Sequence, residues 1–105
     1  MLELKSKHLE IIKEILKKYV PEMTVLAYGS RVTGQSHPGS DLDLVVINPQ
    51  NISLPLKNLT ALRAAFTESN LPFIVDVHDW AMIPELFRNN IKKNHHLLFG
   101  EQVKI

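Results

Sequence analysis

Tyr28-Gly29-Ser30-Arg31-Val32-Thr33-Gly34-Gln35-Ser36-His37-Pro38-Gly39-Ser40-Asp41-Leu42-Asp43-Leu44-Val45-Val46-Ile47 is the stretch that decides the fold of this chain. It starts where the apolar run Val25-Leu26-Ala27 meets a Gly-Ser step, and it ends in a strand that opens with alternating acid and leucine. Gly29 permits a tight turn and a close backbone approach. Ser30 adds a hydroxyl at the first turn of a short helix, where free N–H groups favour phosphate. Asp41 and Asp43, two apart on a strand, point to the same face. Like charges at that spacing repel and aspartate is depleted in strands, so a shared divalent cation is the simplest way to accommodate both. A phosphate cradle beside a carboxylate pair points to a magnesium nucleotide.

Working outward, Thr24 to Tyr28 is too short for a helix and is bounded by Pro21 and Gly29, so it reads as a buried strand. Ser30 to Thr33 makes a helical turn that Gly34 ends, and Gln35 to Ser40, with Pro38 and Gly39, is a loop. On the strand Asp41 to Ile47, Leu42, Leu44 and Val46 share one face and Asp41, Asp43 and Val45 the other. So short a connection favours an antiparallel neighbouring pair. Ahead of it, Leu9, Ile12, Ile15, Leu16 and Tyr19 define an amphipathic helix from about Leu4 to Tyr19, closed by Pro21. Its lysines are interspersed with Glu3, Glu10 and Glu14 and read as a solvated face. Downstream, Leu56, Leu59, Leu62 and Phe66 predict a helix over Pro55 to Ser69 with Ser53 as its N-cap. Phe73 to His78 reads as the third strand, with Ile74, Asp76 and His78 on one face. A last helix spans about Glu85 to His95, and the tail Leu97-Leu98-Phe99 packs or pairs with a partner. The fold class is therefore α/β: a three-stranded mixed sheet covered mainly on one face by helices.

Gly-Ser, ten residues, then Asp-x-Asp resembles the signature of the DNA polymerase beta-like nucleotidyltransferase superfamily. The form Gly-Ser-Arg-x-x-Gly followed by Ser-Asp-Leu-Asp-Leu is similar to its smallest members, the minimal nucleotidyltransferases encoded beside helical HEPN-domain proteins. Neither half of the pattern is specific alone; order and spacing make it a joint constraint. The resemblance implies a third acid on a later strand, and Asp76 stands in the apolar run Phe73-Ile74-Val75-Asp76-Val77. It implies that Asp41, Asp43 and Asp76 hold Mg²⁺, with Asp76 serving the ion that activates the attacking hydroxyl. Nucleotidyl transfer of this kind uses two ions about 3.5–4 Å apart. Gly29 and Ser30 would hold the phosphates of a nucleoside triphosphate, ATP by preference, and Arg31 would reach them, form a salt bridge or cover the sheet. The implied activity is transfer of a nucleoside monophosphate, AMP from ATP, to a hydroxyl on a HEPN-type partner protein, as the antitoxin of a toxin pair.

Composition sets the outer bounds. The 105 residues suit one domain that buries roughly 65% of its unfolded surface. At 45% hydrophobic and 22% charged the chain is ordinary globular material, and a net charge of +1 argues against nucleic acid or an acidic membrane as partner. With no cysteine, disulfides and thiolate metal sites are excluded, which suits a reducing cytoplasm. No window supplies the roughly 20 apolar residues of a membrane helix.

Each motif has a plainer explanation. Singly, the three aspartates are a loop cap, a solvated strand residue and an edge-strand acid; only their conjunction with Gly29-Ser30 favours chemistry. His37 and His78 could touch substrate but are ordinary as exposed histidines, His95 and His96 are adjacent and poorly placed to share a metal, and Trp80 and Met82 suit packing better than base stacking. Two rivals stand beside this reading: a binding module that keeps the fold but neutralises or scaffolds a helical partner without catalysis, and a magnesium-dependent phosphohydrolase.

Overall fold

The computed structural model describes residues 2–105. Its chain runs α1 (Ser6–Tyr19), β1 (Thr24–Tyr28), α2 (Ser30–Thr33), β2 (Leu42–Ile47), α3 (Thr60–Thr67), β3 (Val75–Asp79), α4 (Glu85–Lys93) and β4 (His96–Phe99). The four strands form one sheet in the order β3-β2-β1-β4. β1 lies antiparallel to β2 and β4, whereas β2 and β3 are parallel, joined by the crossover that carries α3.

Side-chain alternation divides the apolar residues between two cores. Val25, Ala27, Leu42, Leu44, Val46 and Val77 face α1 and α3, where they meet Ile12, Leu16, Leu62 and Phe66. Leu26, Tyr28, Val45 and Ile47 face the other way, against Trp80, Ile83 and Ile91. Both faces of β2 are therefore dry along most of its length, and the exception is its first turn of pleat, where Asp43 stands half-buried.

Several boundaries differ from those the pattern predicts, and each has a local cause. The sheet has four strands rather than three, because the tail at Leu97-Leu98-Phe99 pairs with β1 of its own chain, with a bulge at Val25/Leu26. α1 begins at Ser6, not Leu4, since the residues before it are extended and the Glu3 N–H donates to the Arg31 carbonyl at 2.7 Å. α3 is eight residues long, starting at Thr60 instead of Pro55. The Asp79 carboxylate accepts the Leu56 N–H at 2.8 Å and holds that stretch out of the helix, while Asn58 Oδ1 accepts the Thr60 N–H at 3.0 Å. Ser53 is no N-cap; its own N–H donates to Asn51 Oδ1. β3 is shifted to Val75–Asp79, and α4 stops at Lys93, where Asn94 turns extended. Helical cover is shared between the faces, α1 and α3 on one and α4 on the other.

The free edge of the sheet at β3 carries one further device. The Ile74 carbonyl and Trp80 N–H bond to β2, so the odd-numbered residues between them turn their backbone groups outward. One of these, the Val77 carbonyl, accepts from Arg63 Nη2 at 2.8 Å and Nε at 3.2 Å.

Candidate active site

The candidate site is built on a row that crosses three strands. Tyr28 stands opposite Asp43 in the β1–β2 register, and Asp43 stands level with Asp76 in the β2–β3 register. Neighbouring strands are about 4.7–4.9 Å apart and residues in register turn to the same face, so the two carboxylates are brought side by side. Burial pushes the Asp43 carboxyl above its ordinary value, and the charges of Asp76 and Asp41 push it further, with His78 opposing. The Tyr28 phenol is pushed up by the same combination, burial first and then Asp43 and Asp76. An apolar strand thus delivers mutually repelling oxygen donors to a half-dry position, an arrangement that a hard divalent cation relieves.

Gly29 completes the geometry. It adopts φ 80° and ψ −157°, a region open almost only to glycine, and a Cβ added there would run into Asp43 Oδ2. The missing side chain is what lets the β1–α2 turn approach the acid. α2 then begins at Ser30, half-buried, and its first N–H groups have no helical partner. Gly34, at φ 85°, ends it in the left-handed conformation. Gly29 and Ser30 therefore lie at the exit of β1, next to the β2 acids, as the short connection requires.

Two expected residues are placed differently. Asp41 lies one residue ahead of β2, exposed, close enough to raise Asp43 yet also bordering a groove beside Phe66 and Ile74. Among the described residues no three acidic or histidine side chains close into a metal-ready cluster. Asp43 feels the charges of both Asp76 and Asp41, so the three expected acids lie at the same end of the sheet. Arg31 is engaged by the backbone around it. It is 6% exposed, and its guanidinium donates to the carbonyls of Glu3, Pro38 and Ser40 and lies 4.2 Å over the Phe73 ring. The fork thus ties Pro38 and Ser40, at the far end of the loop that separates cradle from acids, to α2 and to Glu3, and four of its five N–H donors are engaged.

The structure adds groups the sequence pattern did not single out or left undecided. His78 Nε2 lies 3.1 Å from Asp76 Oδ2, and the Phe87 ring of α4 packs against both His78 and Tyr28 at 5.6 Å. Beside Gly29 and Tyr28 opens a cavity of about 310 Å³, walled by Thr33 and by α4. Alternation put His78 on the face of Asp76; the contribution of α4 is long-range, and of Leu86, Phe87 and Ile91, which the sequence pattern turns inward, Phe87 and Ile91 do pack against the sheet while Leu86 is exposed.

Similarity to known proteins accords with this geometry. One relative, the probable protein adenylyltransferase MntA of Haemophilus influenzae (strain ATCC 51907 / DSM 11121 / KW20 / Rd), is 45% identical over 92 residues, covering 88% of this chain and 79% of that protein. Among solved structures, a toxin–antitoxin complex with AMP-PNP superposes with a TM-score of 0.69 at 22% identity, covering 93% of this chain and 76% of that one. A toxin–antitoxin MntA-HpeT structure gives 0.68 at 22%, covering 94% and 75%. Those likenesses speak for the fold. Because residues 10–104 match the family described as Polymerase beta, Nucleotidyltransferase, nearly the whole chain is accounted for, and the protein belongs to that nucleotidyltransferase family.

Proposed function

We propose that this protein is a protein adenylyltransferase that transfers AMP from ATP, with Mg²⁺, to a hydroxyl on a helical HEPN-type toxin partner, as its antitoxin in the cytoplasm. The observation that carries the proposal is the level placement of Asp43 and Asp76 beside the Gly29-Ser30 turn. Bound Mg²⁺ supplies charge neutralisation for the triphosphate and activation of the attacking hydroxyl. The chain's own residues do the rest. Asp41, Asp43 and Asp76 would hold the Mg²⁺. Asp76, exposed on β3, takes the hydroxyl proton. Ser30 and the leading N–H groups of α2 orient the leaving phosphates. Arg31 holds the intervening loop.

A protein acceptor suits the surroundings. Ile74, Met82 and Leu86 are 68%, 70% and 80% exposed, and all lie close in sequence to β3. The relative named as an adenylyltransferase and the toxin–antitoxin complexes of similar fold support the same choice of acceptor class. Among the described residues no helix is long and apolar enough to cross a membrane. The test is intact-protein mass spectrometry of the cognate partner after incubation with this protein and Mg-ATP. One added nucleoside monophosphate is expected, and a partner of unchanged mass would refute the proposal.

A further inference from the structure

We infer that α4 reads the base of the nucleotide donor, with Asn90 and Asn94 selecting a 6-aminopurine over a 6-oxopurine. The inference rests on the proposed nucleotide-dependent activity and deepens it by naming the specificity residues.

The observation is the cavity beside Gly29. Its volume of about 310 Å³ falls at the lower end of the roughly 300–1,000 Å³ found for small-molecule sites. It shares Gly29 and Tyr28 with the row of acids, so a molecule held there is continuous with the phosphate turn. Of the residues lining it none is a lysine, arginine, aspartate or glutamate. That wall offers a phosphate nothing. It offers a planar neutral ring an aromatic side in Phe87, an aliphatic floor in Ile91 and two carboxamides in Asn90 and Asn94.

The spacing of these residues is what brings them together. Positions 87, 90, 91 and 94 form one stripe down α4 and its C-cap, the i, i+3, i+4, i+7 pattern of a single helix face. Phe87 anchors that stripe to the sheet through its edge-on contact with Tyr28, and Ile91 is 1% exposed. Asn90 and Asn94, by contrast, are exposed, and among the described residues neither side chain takes a hydrogen bond within the chain. Two uncommitted carboxamides therefore border an otherwise apolar recess beside the phosphate turn.

A carboxamide is bidentate toward the edge of adenine, accepting from the 6-amino group and donating to N7. Guanine presents two acceptors at the same positions, so the amide oxygen would face the guanine O6 lone pairs. Such a pairing discriminates by about ten- to a hundredfold.

Equilibrium binding of Mg²⁺ complexes of AMP-PNP and GMP-PNP to the full chain tests this without any acceptor. Wild type is expected to bind the adenine analogue at least tenfold more tightly, and Asn90→Leu with Asn94→Leu is expected to lose most of that preference while keeping the wild-type melting temperature. Equal binding of the two analogues by wild type, no binding of either, or an undiminished preference in the double variant would overturn the inference. Base preference that depends on these asparagines, together with a partner that gains no mass in Mg-ATP, would leave the base site standing and remove the transferase proposal instead.

Discussion

The Gly29 Cα sits so close to the Asp43 carboxylate that no side chain fits between them. The phosphate turn and the central acid are thus one packing unit, and changing the turn changes the acid. Gly29→Ala places a Cβ into Asp43 Oδ2 and forces a residue with a side chain to φ 80°. We expect a loss of about 1–3 kcal/mol of stability, seen in urea unfolding, with Asp43 displaced and transfer to the partner abolished. A variant of wild-type stability and activity would show that the turn does not hold the acid.

Asp43→Asn is expected to abolish transfer, because it removes a ligand charge, while leaving the unliganded protein at least as stable as wild type at neutral pH. The sign follows from proton linkage. The folded-state pKa of Asp43 is raised above the ordinary 3.8, so between these values the native state binds more protons than the unfolded chain. Its contribution to stability falls as pH rises through that window. Thermal unfolding at acid and at neutral pH should show wild type losing ground to Asp43→Asn as the pH rises above 3.8. Adding Mg-ATP at a hundred times its dissociation constant should restore about 2.7 kcal/mol to wild type, and little of that to the variant.

Ser30→Ala removes one hydroxyl from the start of α2 without disturbing a core contact. If that hydroxyl holds a charged phosphate oxygen, the change costs about 1.5–3 kcal/mol of transition-state binding and slows transfer roughly ten- to a hundredfold. Partner association, measured by pull-down or size exclusion, should be unchanged. Wild-type kcat/KM in this variant would take the hydroxyl out of the reaction.

Arg31 separates positioning from substrate contact. Arg31→Ala strands the carbonyls of Glu3, Pro38 and Ser40 and should lower stability by about 2–4 kcal/mol. At about 4–8 °C per kcal/mol for a domain of this size, the shift is plain in a melting curve. Arg31→Lys should recover only part, since one ammonium cannot span the fork. A residue that merely touched phosphate would raise KM and leave the melting temperature alone.

Much of this arrangement was legible because it is local. The Gly-Ser step, the Asp-x-Asp alternation and the short loop between them dictate an antiparallel β1–β2 pair with phosphate turn and acids at one end. The apolar alternation of Leu42, Leu44 and Val46 against Asp43 and Val45 divides the faces correctly. What the sequence hides is held by contacts between distant residues. Arg31 is consumed by carbonyls up to 28 positions away. Asp79, an unremarked acid that closes the third strand, reaches back 23 residues to shorten α3. β4 is four residues long, begins at His96, and has no period of its own; only the open edge of β1 makes it a strand.

The guanidinium of Arg63 on the Val77 carbonyl bears on how this molecule meets others. An unpaired strand margin is a template for any extended segment, including that of another copy, and leads to fibre-like stacking. With a two-pronged cation already seated on its outward carbonyl, β3 resists that addition, and a guest strand would first have to evict a charged group from its bonds. Recruitment of a partner at this edge is thereby steered away from backbone zippering and toward side-chain contact. Crowded solutions should accordingly keep this protein dispersed, and Arg63→Ala should be the change that turns concentrated samples turbid.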